Sequence, residues 1–356
     1  MSIETKDITV EKVKTSKIDQ VDFDNLAFGS VFTDHMLVCT YKNGAWEMPK
    51  IVPYQPIVLD PSSKIFHYGQ SIFEGMKAYK DKNDDIFLFR PLENFKRFNI
   101  SADRMCIPQL PQEYFMDGLT TLLNLDKDFI PTKDGSSLYI RPFMFASGNG
   151  FHASPANEYK FIIACAPSGA YFSGKVKVLI EEKYSRSANG GVGYAKTGGN
   201  YAGQFYPTQL AVEKGYNQVI WTDDTNHEFI EEAGAMNIFV RINDTLLTGP
   251  TSDRILDGIT RKSILDIAKD QGIKTEVRKI TVKEVVEAAK DGSLKEMFGA
   301  GTAAVISPIS GFGYRGTDYE LPELKDSYAQ SLKKIITDIQ YNKSADKFGW
   351  RFKVEK

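Results

Sequence analysis

The sequence predicts a mixed α/β chain in two halves. Strand-type and helix-type apolar patterns are interspersed, without the regular alternation of a parallel βαβ array. The length, 356 residues, suits two domains of roughly 100–200 residues each. A stretch rich in glycine, serine and aromatics, APSGAYFSGK, falls near the middle. The expected division is an N-terminal α/β domain over 1–166, a connection over 167–176 and a C-terminal domain over 177–356.

The first twenty or so residues read as a flexible or edge-packed lead-in. HMLVCTY and WEMPKI flank Asn43-Gly44, a strong hairpin signal, and MKAYK and DIFLFR form a second pair around Asp81–Asp85. Pro91 starts a helix with Leu92, Phe95, Phe98, Ala102 and Met105 near one face, and PQEYFMDGLTTLLNLD forms another around Phe115, Leu119 and Leu122. LYIRPFMF, KFIIACA and KVKVLIEE read as strands. NYAGQFYPTQLAVEKG reads as one helix closed by Gly215, and NQVIWTD, EFIEE, MNIFVRI and TLLTG as strands. DGITRKSILDIAKDQG is a helix capped by Asp257, buried at Ile264, Leu265 and Ala268, and ended by Gly272. Thr281-x-x-Glu284 is a capping box, AGTAAVISPIS a strand, and YAQSLKKIITDIQ a terminal helix.

Composition excludes several classes. Hydrophobic residues at 42% and charged residues at 25% are those of a folded globular protein. Forty-four Lys+Arg against 46 Asp+Glu leave a formal charge of −2, so no bulk basic field attracts nucleic acid or an anionic membrane. Cys39, Cys106 and Cys165 are too sparse for a disulfide framework, and His35, His67, His152 and His227 lack metal-ligand spacing, so no metal is expected. No apolar run reaches about 18 residues, and the N-terminus has no signal-type apolar region, so a cytoplasmic location is expected.

The most unusual segment is Ser187–Gly203, SANGGVGYAKTGGNYAG, where glycines surround Lys196. Such density is retained where the chain turns sharply or approaches a ligand, although a solvated surface loop has the same look. Gly190 to Thr197 nearly matches a phosphate loop, but alanine replaces its second glycine and no apolar strand immediately precedes it. The alternative is a lysine that condenses with a carbonyl, its amine freed by desolvation or a nearby cation. If that carbonyl belongs to pyridoxal 5′-phosphate, the pyridine nitrogen needs an acid, the 3′-oxygen a donor, and the phosphate a helix N-terminus and an arginine. Glu231 or Glu232, Tyr201, the helix entry at Gly258-Ile259-Thr260, and Arg90 meet those demands. Singly, each has an ordinary reading as acidic edge, core tyrosine, helix cap or surface arginine.

The order of these segments resembles the branched-chain amino-acid aminotransferases, fold-type IV pyridoxal-phosphate enzymes. FGSVFTDHM, HYGQSIFEGMKAY, LFRPLENFKRF, LYIRP, YAKTGGNYAG, EEAGAMNIF, LDGITRKSILDIA and EMFGAGTAAVISP carry the resemblance from about Phe28 to Gln340. It implies a small N-terminal α/β domain and a larger C-terminal pseudo-barrel domain. It implies reversible amino transfer between L-Leu, L-Ile or L-Val and 2-oxoglutarate by a ping-pong route, with Lys196 as the Schiff-base lysine and proton shuttle. Glu232 matches the carboxylate on the pyridine nitrogen, with Glu231 its outward neighbour, and Tyr201 matches the tyrosine on the 3′-oxygen. Arg90, Ile259, Thr260 and Thr302 match the phosphate set. Tyr139 and Arg141, on one strand face, match the substrate-carboxylate region, with N–H donors from Thr302-Ala303-Ala304. Phe28, Tyr68, Phe73 and Tyr171 match the walls for the aliphatic side chain. The resemblance also implies a homodimer. Ala304 and Ser307 stand where animal members carry a CxxC pair, so no thiol regulation is expected there. A D-amino-acid transaminase or an aminodeoxychorismate-lyase-like enzyme, sharing the lysine and glutamate logic, is the alternative within the superfamily; a nucleotide-binding NTPase is the alternative outside it.

Overall fold

Asn43 and Gly44 both take positive φ (54° and 82°), the geometry of a two-residue hairpin turn that Asn-Gly supplies at little cost. The strands they join, His35–Lys42 and Ala45–Trp46, pair Tyr41 with Trp46. In the computed structural model, which describes residues 8–169 and 176–355, such local choices assemble two compact units. The first is Met1–Tyr171 with Ala195–Gly198 and Asp338–Lys356; the second is Phe172–Tyr194 with Gly199–Thr337.

The first unit is built on a sheet whose strands run, from edge to edge, Thr9–Val10, Lys50–Pro53, His35–Lys42, Tyr159–Ser168, Ser137–Ala146, Met76–Lys80, Ile86–Phe89 and Arg351–Val354. The lead-in is thus edge-packed, Thr9 and Val10 lying parallel to Lys50 and Ile51. Helices Pro91–Arg104 and Gln112–Leu125 bury Phe98, Phe115, Leu119 and Leu122 against Phe161 and Leu37 of the sheet. Leu92, expected on the buried face, is 40% exposed. The helix instead turns Asn94, Arg97 and Ser101 inward, Asn94 and Arg97 onto the buried Glu74 carboxylate.

In the second unit the strands Met236–Ile242, Leu294–Gly301, Val305–Tyr314, Val176–Ile180, Gln218–Thr222 and Phe229–Ala233 pair in that order, and the last pairs back onto the first. The sheet therefore closes as a barrel, which removes the open edges that a sheet otherwise exposes. Val178, Ile220, Ile238, Met297, Ile309 and Phe312 belong to its apolar core.

Four local expectations need correction. NYAGQFYPTQLAVEKG is two helices, Gly199–Ala202 and Phe205–Glu213, because Pro207 has no N–H to continue the ladder back to Gly203. The cap of Ile259–Asp270 is Gly258, not Asp257, whose carboxylate pairs with Lys262 at 2.7 Å, and Ile267 rather than Leu265 is fully buried. AGTAAVISPIS is not one strand: Ala300-Gly301 ends one strand, 302–304 turn, and Val305 starts the next. The capping box is half-formed, since Thr281 accepts from the Glu284 N–H at 3.0 Å while the Glu284 carboxylate takes Arg278. The strands Ser71–Phe73 and Arg351–Val354 and the helix Lys64–Tyr68 carry too short a pattern to be read.

Candidate active site

Each unit gathers part of the expected set. In the first, Lys196 is held through its backbone on both sides. Its N–H donates to Ser101 Oγ at 2.9 Å and its carbonyl accepts from the Phe73 N–H at 2.9 Å. Thr197 bridges to Ile72, and its hydroxyl donates to the Ser71 carbonyl at 2.7 Å. Lys196 is half-buried, and its ammonium lies 4.8 Å from the centre of the Phe73 ring. Arg141 stacks on the same ring at 4.6 Å and donates to the Tyr139 hydroxyl at 2.8 Å. Phe28 meets Tyr139 edge-on at 4.7 Å. Phe28, Phe73, Tyr139, Arg141 and Lys196 thus form one patch of aromatic walls and cations. Tyr68 is engaged elsewhere, its hydroxyl donating to the Phe151 carbonyl. Phe28 and Tyr68 are 39% and 42% exposed, so neither is an ordinary core residue. Arg90 caps Pro91–Arg104 in the left-handed region, φ 51°, with its guanidinium 4.9 Å from the Trp350 ring. An arginine held there is strained by about 1–2 kcal/mol, a cost characteristic of functional positions. Tyr171 lies outside the described residues.

Sequence reading missed what stands behind this patch. Glu74, adjacent to Phe73, is fully buried and receives Arg97 at both oxygens, Nε at 2.7 Å and a terminal nitrogen at 2.8 Å, with Asn94 Nδ2 at 2.8 Å. Burial alone would push its carboxyl up, but Arg97, Lys196 and Asn94 together hold it below the usual range. The signal was a glutamate inside SIFEGMKA, a strand-like run where a charge demands partners.

In the second unit both glutamates of the strand Phe229–Ala233 are buried, Glu231 as well as Glu232. Glu232 Oε1 accepts from the Leu256 N–H at 2.9 Å and from Asn237 Nδ2 at 3.3 Å. Arg186 Nε lies 2.8 Å from Glu232 Oε2, an ion pair without hydrogen-bond alignment. The Arg186 guanidinium also donates to the carbonyls of Gly193 and Arg254. Glu231 pairs with Arg254 through one oxygen and leaves Oε2 without a hydrogen bond. Burial pushes the Glu231 carboxyl up further than Arg254 pulls it down. Adjacent carboxylates in an apolar strand announce that cations must exist; nothing in the sequence says that Arg186 and Arg254 supply them.

The remaining expected residues also fall in this unit. Tyr201 lies half-buried in the short helix Gly199–Ala202. Ile259 and Thr260 are buried in the first turn of Ile259–Asp270, where no side chain caps the helix. Thr302, Ala303 and Ala304 form a half-buried turn that ends at Val305 with φ 60°, unusual for a β-branched residue. The phosphate-loop alternative loses its context. Gly190 N–H donates to an Asp253 carboxylate at 3.1 Å, and the Thr197 hydroxyl is committed to Ser71. Cys39, Cys106 and Cys165 are free thiols, burial raising Cys39 to about 12. Among the described residues no group of His, Cys, Asp and Glu is arranged to hold a metal, and no helix is long and apolar enough to cross a membrane.

A closed-barrel unit and an α/β unit make up the architecture of fold-type IV aminotransferases. The family model for class IV amino-transferases matches residues 71–312. Branched-chain-amino-acid aminotransferase 2 of Bacillus subtilis (strain 168) is 43% identical, covering 98% of this chain and 97% of the relative. Branched-chain-amino-acid transaminase 1 of the same organism is 40% identical, covering 97% and 99%. The Escherichia coli branched-chain amino acid aminotransferase shares the fold with a TM-score of 0.73 at 24% identity, covering 89% of this chain and 99% of that one. The Thermoproteus uzoniensis branched-chain aminotransferase, solved with norvaline, shares it with a TM-score of 0.75 at 24% identity, covering 90% and 100%. The chain belongs to the class IV aminotransferases and, within them, to the branched-chain-amino-acid aminotransferases.

Proposed function

We propose that this enzyme transfers the amino group reversibly between L-Leu, L-Ile or L-Val and 2-oxoglutarate in a ping-pong cycle, using pyridoxal 5′-phosphate and Lys196. The observation that carries the reading is the placement of Lys196, fixed by its backbone while its amine rests on the Phe73 ring. The donor set fits the cofactor: a buried carboxylate backed by an arginine, and a 12-residue helix whose N-terminus has no side-chain cap. When bound, pyridoxal phosphate supplies the aldehyde that condenses with an amine and the ring that accepts the electron pair released at the substrate Cα.

The chain's own residues do the rest. With the cofactor bound, Lys196 would carry the proton from the substrate Cα to C4′ of the cofactor in the first half of the cycle, and from C4′ to Cα in the second. Glu232 would pair with the pyridine nitrogen, with Arg186 and the Leu256 N–H holding its carboxylate in place. Tyr201 donates to the 3′-oxygen. Arg90, Thr302 and the Ile259 and Thr260 N–H groups hold the phosphate. Tyr139, Arg141 and the Thr302-Ala303-Ala304 turn receive the substrate carboxylate. Phe28, Tyr68, Phe73 and Tyr171 wall the aliphatic chain. Apolar walls discriminate one methylene by only about 1–3 kcal/mol, so Leu, Ile and Val are all substrates. The enzyme works as a cytoplasmic homodimer; exposed Val58, Phe66 and Phe151 support an apolar subunit contact, which sedimentation measures directly.

An amino-donor panel with 2-oxoglutarate tests the reading. Wild type is expected to accept Leu, Ile and Val over D-Ala and aminodeoxychorismate. Lys196→Ala is expected to lose about 10²–10⁴-fold or more in kcat, and to lose the borohydride-stable cofactor adduct that wild type carries on this lysine. A wild-type protein that forms no adduct would sink the proposal.

A further inference from the structure

The Glu74–Arg97–Asn94 cluster has no place in the roles assigned above, yet it underlies the segment on which Lys196 is mounted. Glu74 is 0% exposed, and its N–H donates to the Pro142 carbonyl at 2.7 Å. Asn94 Nδ2 reaches both the Glu74 carboxylate, at 2.8 Å, and the Gly75 carbonyl, at 3.3 Å. A side chain at Gly75 would collide with the Tyr139 hydroxyl that Arg141 holds. On the other side, the Arg97 carbonyl accepts from Ser101 Oγ at 2.9 Å, and the same Oγ accepts the Lys196 N–H at 2.9 Å. The residue before Glu74 donates its N–H to the Lys196 carbonyl and carries the ring under the Lys196 ammonium. One buried ion pair therefore braces the lysine's mount and the Tyr139–Arg141 platform together.

A buried ion pair rarely adds stability over an apolar replacement. Its retention beside an amine has a functional explanation. Glu74 interacts electrostatically with this amine and pairs with Arg97, while Arg141 stacks on the same Phe73 ring as the amine and donates to Tyr139. Arg97 and Arg141 are cations, and Glu74 is the carboxylate that meets them.

We propose that Glu74 is a positioning residue for transamination: with Arg97 and Asn94 it fixes the Ser71–Gly75 segment that carries Lys196, and its charge balances the cations packed around the amine. The inference rests on the covalent role proposed for Lys196. It predicts a sign that structural damage alone would not produce. Removing the Glu74 charge leaves Arg97 and Arg141 uncompensated, so more of the Lys196 amine is neutral at a given pH. Removing the Arg97 charge does the reverse.

The test strips cofactor from wild type, Glu74→Gln, Arg97→Gln and the double variant. It then measures the rate at which each captures pyridoxal phosphate on Lys196 at neutral pH, trapped by borohydride. Glu74→Gln is expected to capture faster than wild type, because the amine loses an opposing carboxylate. Arg97→Gln is expected to be slower, and the double variant to return toward wild type. If Glu74→Gln alone does not fold, adding it to Arg97→Gln supplies the same comparison and must speed capture. Capture by Glu74→Gln at or below the wild-type rate with native circular dichroism overturns the inference, as do shifts of one sign in both single variants. Absence of capture by wild type overturns the proposed function as well.

Discussion

The two units hold buried carboxylates in opposite ways. Glu74, in the first, has both oxygens filled by a guanidinium fork and an amide, and its carboxyl is held below the usual range. Glu231, in the second, has one oxygen on Arg254 and the other without a hydrogen bond, next to Glu232 and near Asp223, and its carboxyl is pushed up. A buried charge is comfortable when every lone pair is matched and costly when it is not. The first carboxylate is therefore braced in its ionised form. The second is under electrostatic load, sequence-adjacent to the acid proposed for the pyridine.

The largest expected effect comes from breaking the matched pair. Glu74 has a depressed folded-state pKa, so its stabilisation is present above the ordinary carboxylate range and is lost as pH falls through the folded value. Glu74→Gln is expected to cost about 3–5 kcal/mol at neutral pH, the usual consequence of stranding a buried partner, with the deficit shrinking in acid. Glu231 carries the opposite sign. Its folded-state pKa is raised, so its stabilisation is present in acid and lost as pH rises through the folded value. Arg254 keeps Asp224 at 3.0 Å after Glu231→Gln, so that variant is expected to be neutral or more stable at neutral pH. Urea unfolding of both variants between acid and neutral pH checks the pair. Equal costs at neutral pH would erase the distinction between them.

Next in size is Glu232→Gln. It keeps the shape but removes the charge that Arg186, Asn237 and the Leu256 N–H surround. On the proposed function it lowers kcat by about 10²–10³-fold, the range seen when a preorganised electrostatic partner is removed, with KM for the amino donor moving far less. A comparable loss in Glu231→Gln would show that the two neighbours act as one acid rather than as catalyst and bystander.

Much of this was legible beforehand, for reasons that differ between regions. The hairpin at Asn43-Gly44 and the helix after Pro91 follow from backbone preferences carried by one or two residues. Closure of the barrel does not: Phe229–Ala233 and Met236–Ile242 meet as a local hairpin, but the ring also needs Val176–Ile180 to pair with Val305–Tyr314 and Met236–Ile242 with Leu294–Gly301, and those are long-range events. Lys196 stood out by its glycines, and Glu232 by its apolar strand. Arg97, Arg186 and Arg254 did not, since an arginine's partner is set by tertiary packing and its own flanks look like any other surface. The same limit hid Glu231, whose burial depends on Arg254, 23 residues further along.

The smallest effects compare two glycines that hold space rather than charge. A Cβ at Gly75 would run into the Tyr139 hydroxyl, the movable end of a side chain. A Cβ at Gly258 would run into Asn237 Oδ1, where Asn237 is already tied to Glu232 and to the Leu256 carbonyl. Neither glycine has a left-handed φ, so the penalty is collision and not backbone strain. Overpacking of this kind costs about 1–3 kcal/mol, and where it is absorbed differs. Gly75→Ala is expected to displace Tyr139 and Arg141 and raise KM for amino acids, leaving cofactor affinity near wild type. Gly258→Ala is expected to disturb the cap of Ile259–Asp270 and the Glu232 carboxylate together, weakening pyridoxal-phosphate affinity by about tenfold or more while KM at saturating cofactor stays near wild type. Equilibrium cofactor titration beside steady-state kinetics separates the two. A Gly75→Ala variant that loses cofactor while Gly258→Ala keeps it would reverse the division of labour between the two units.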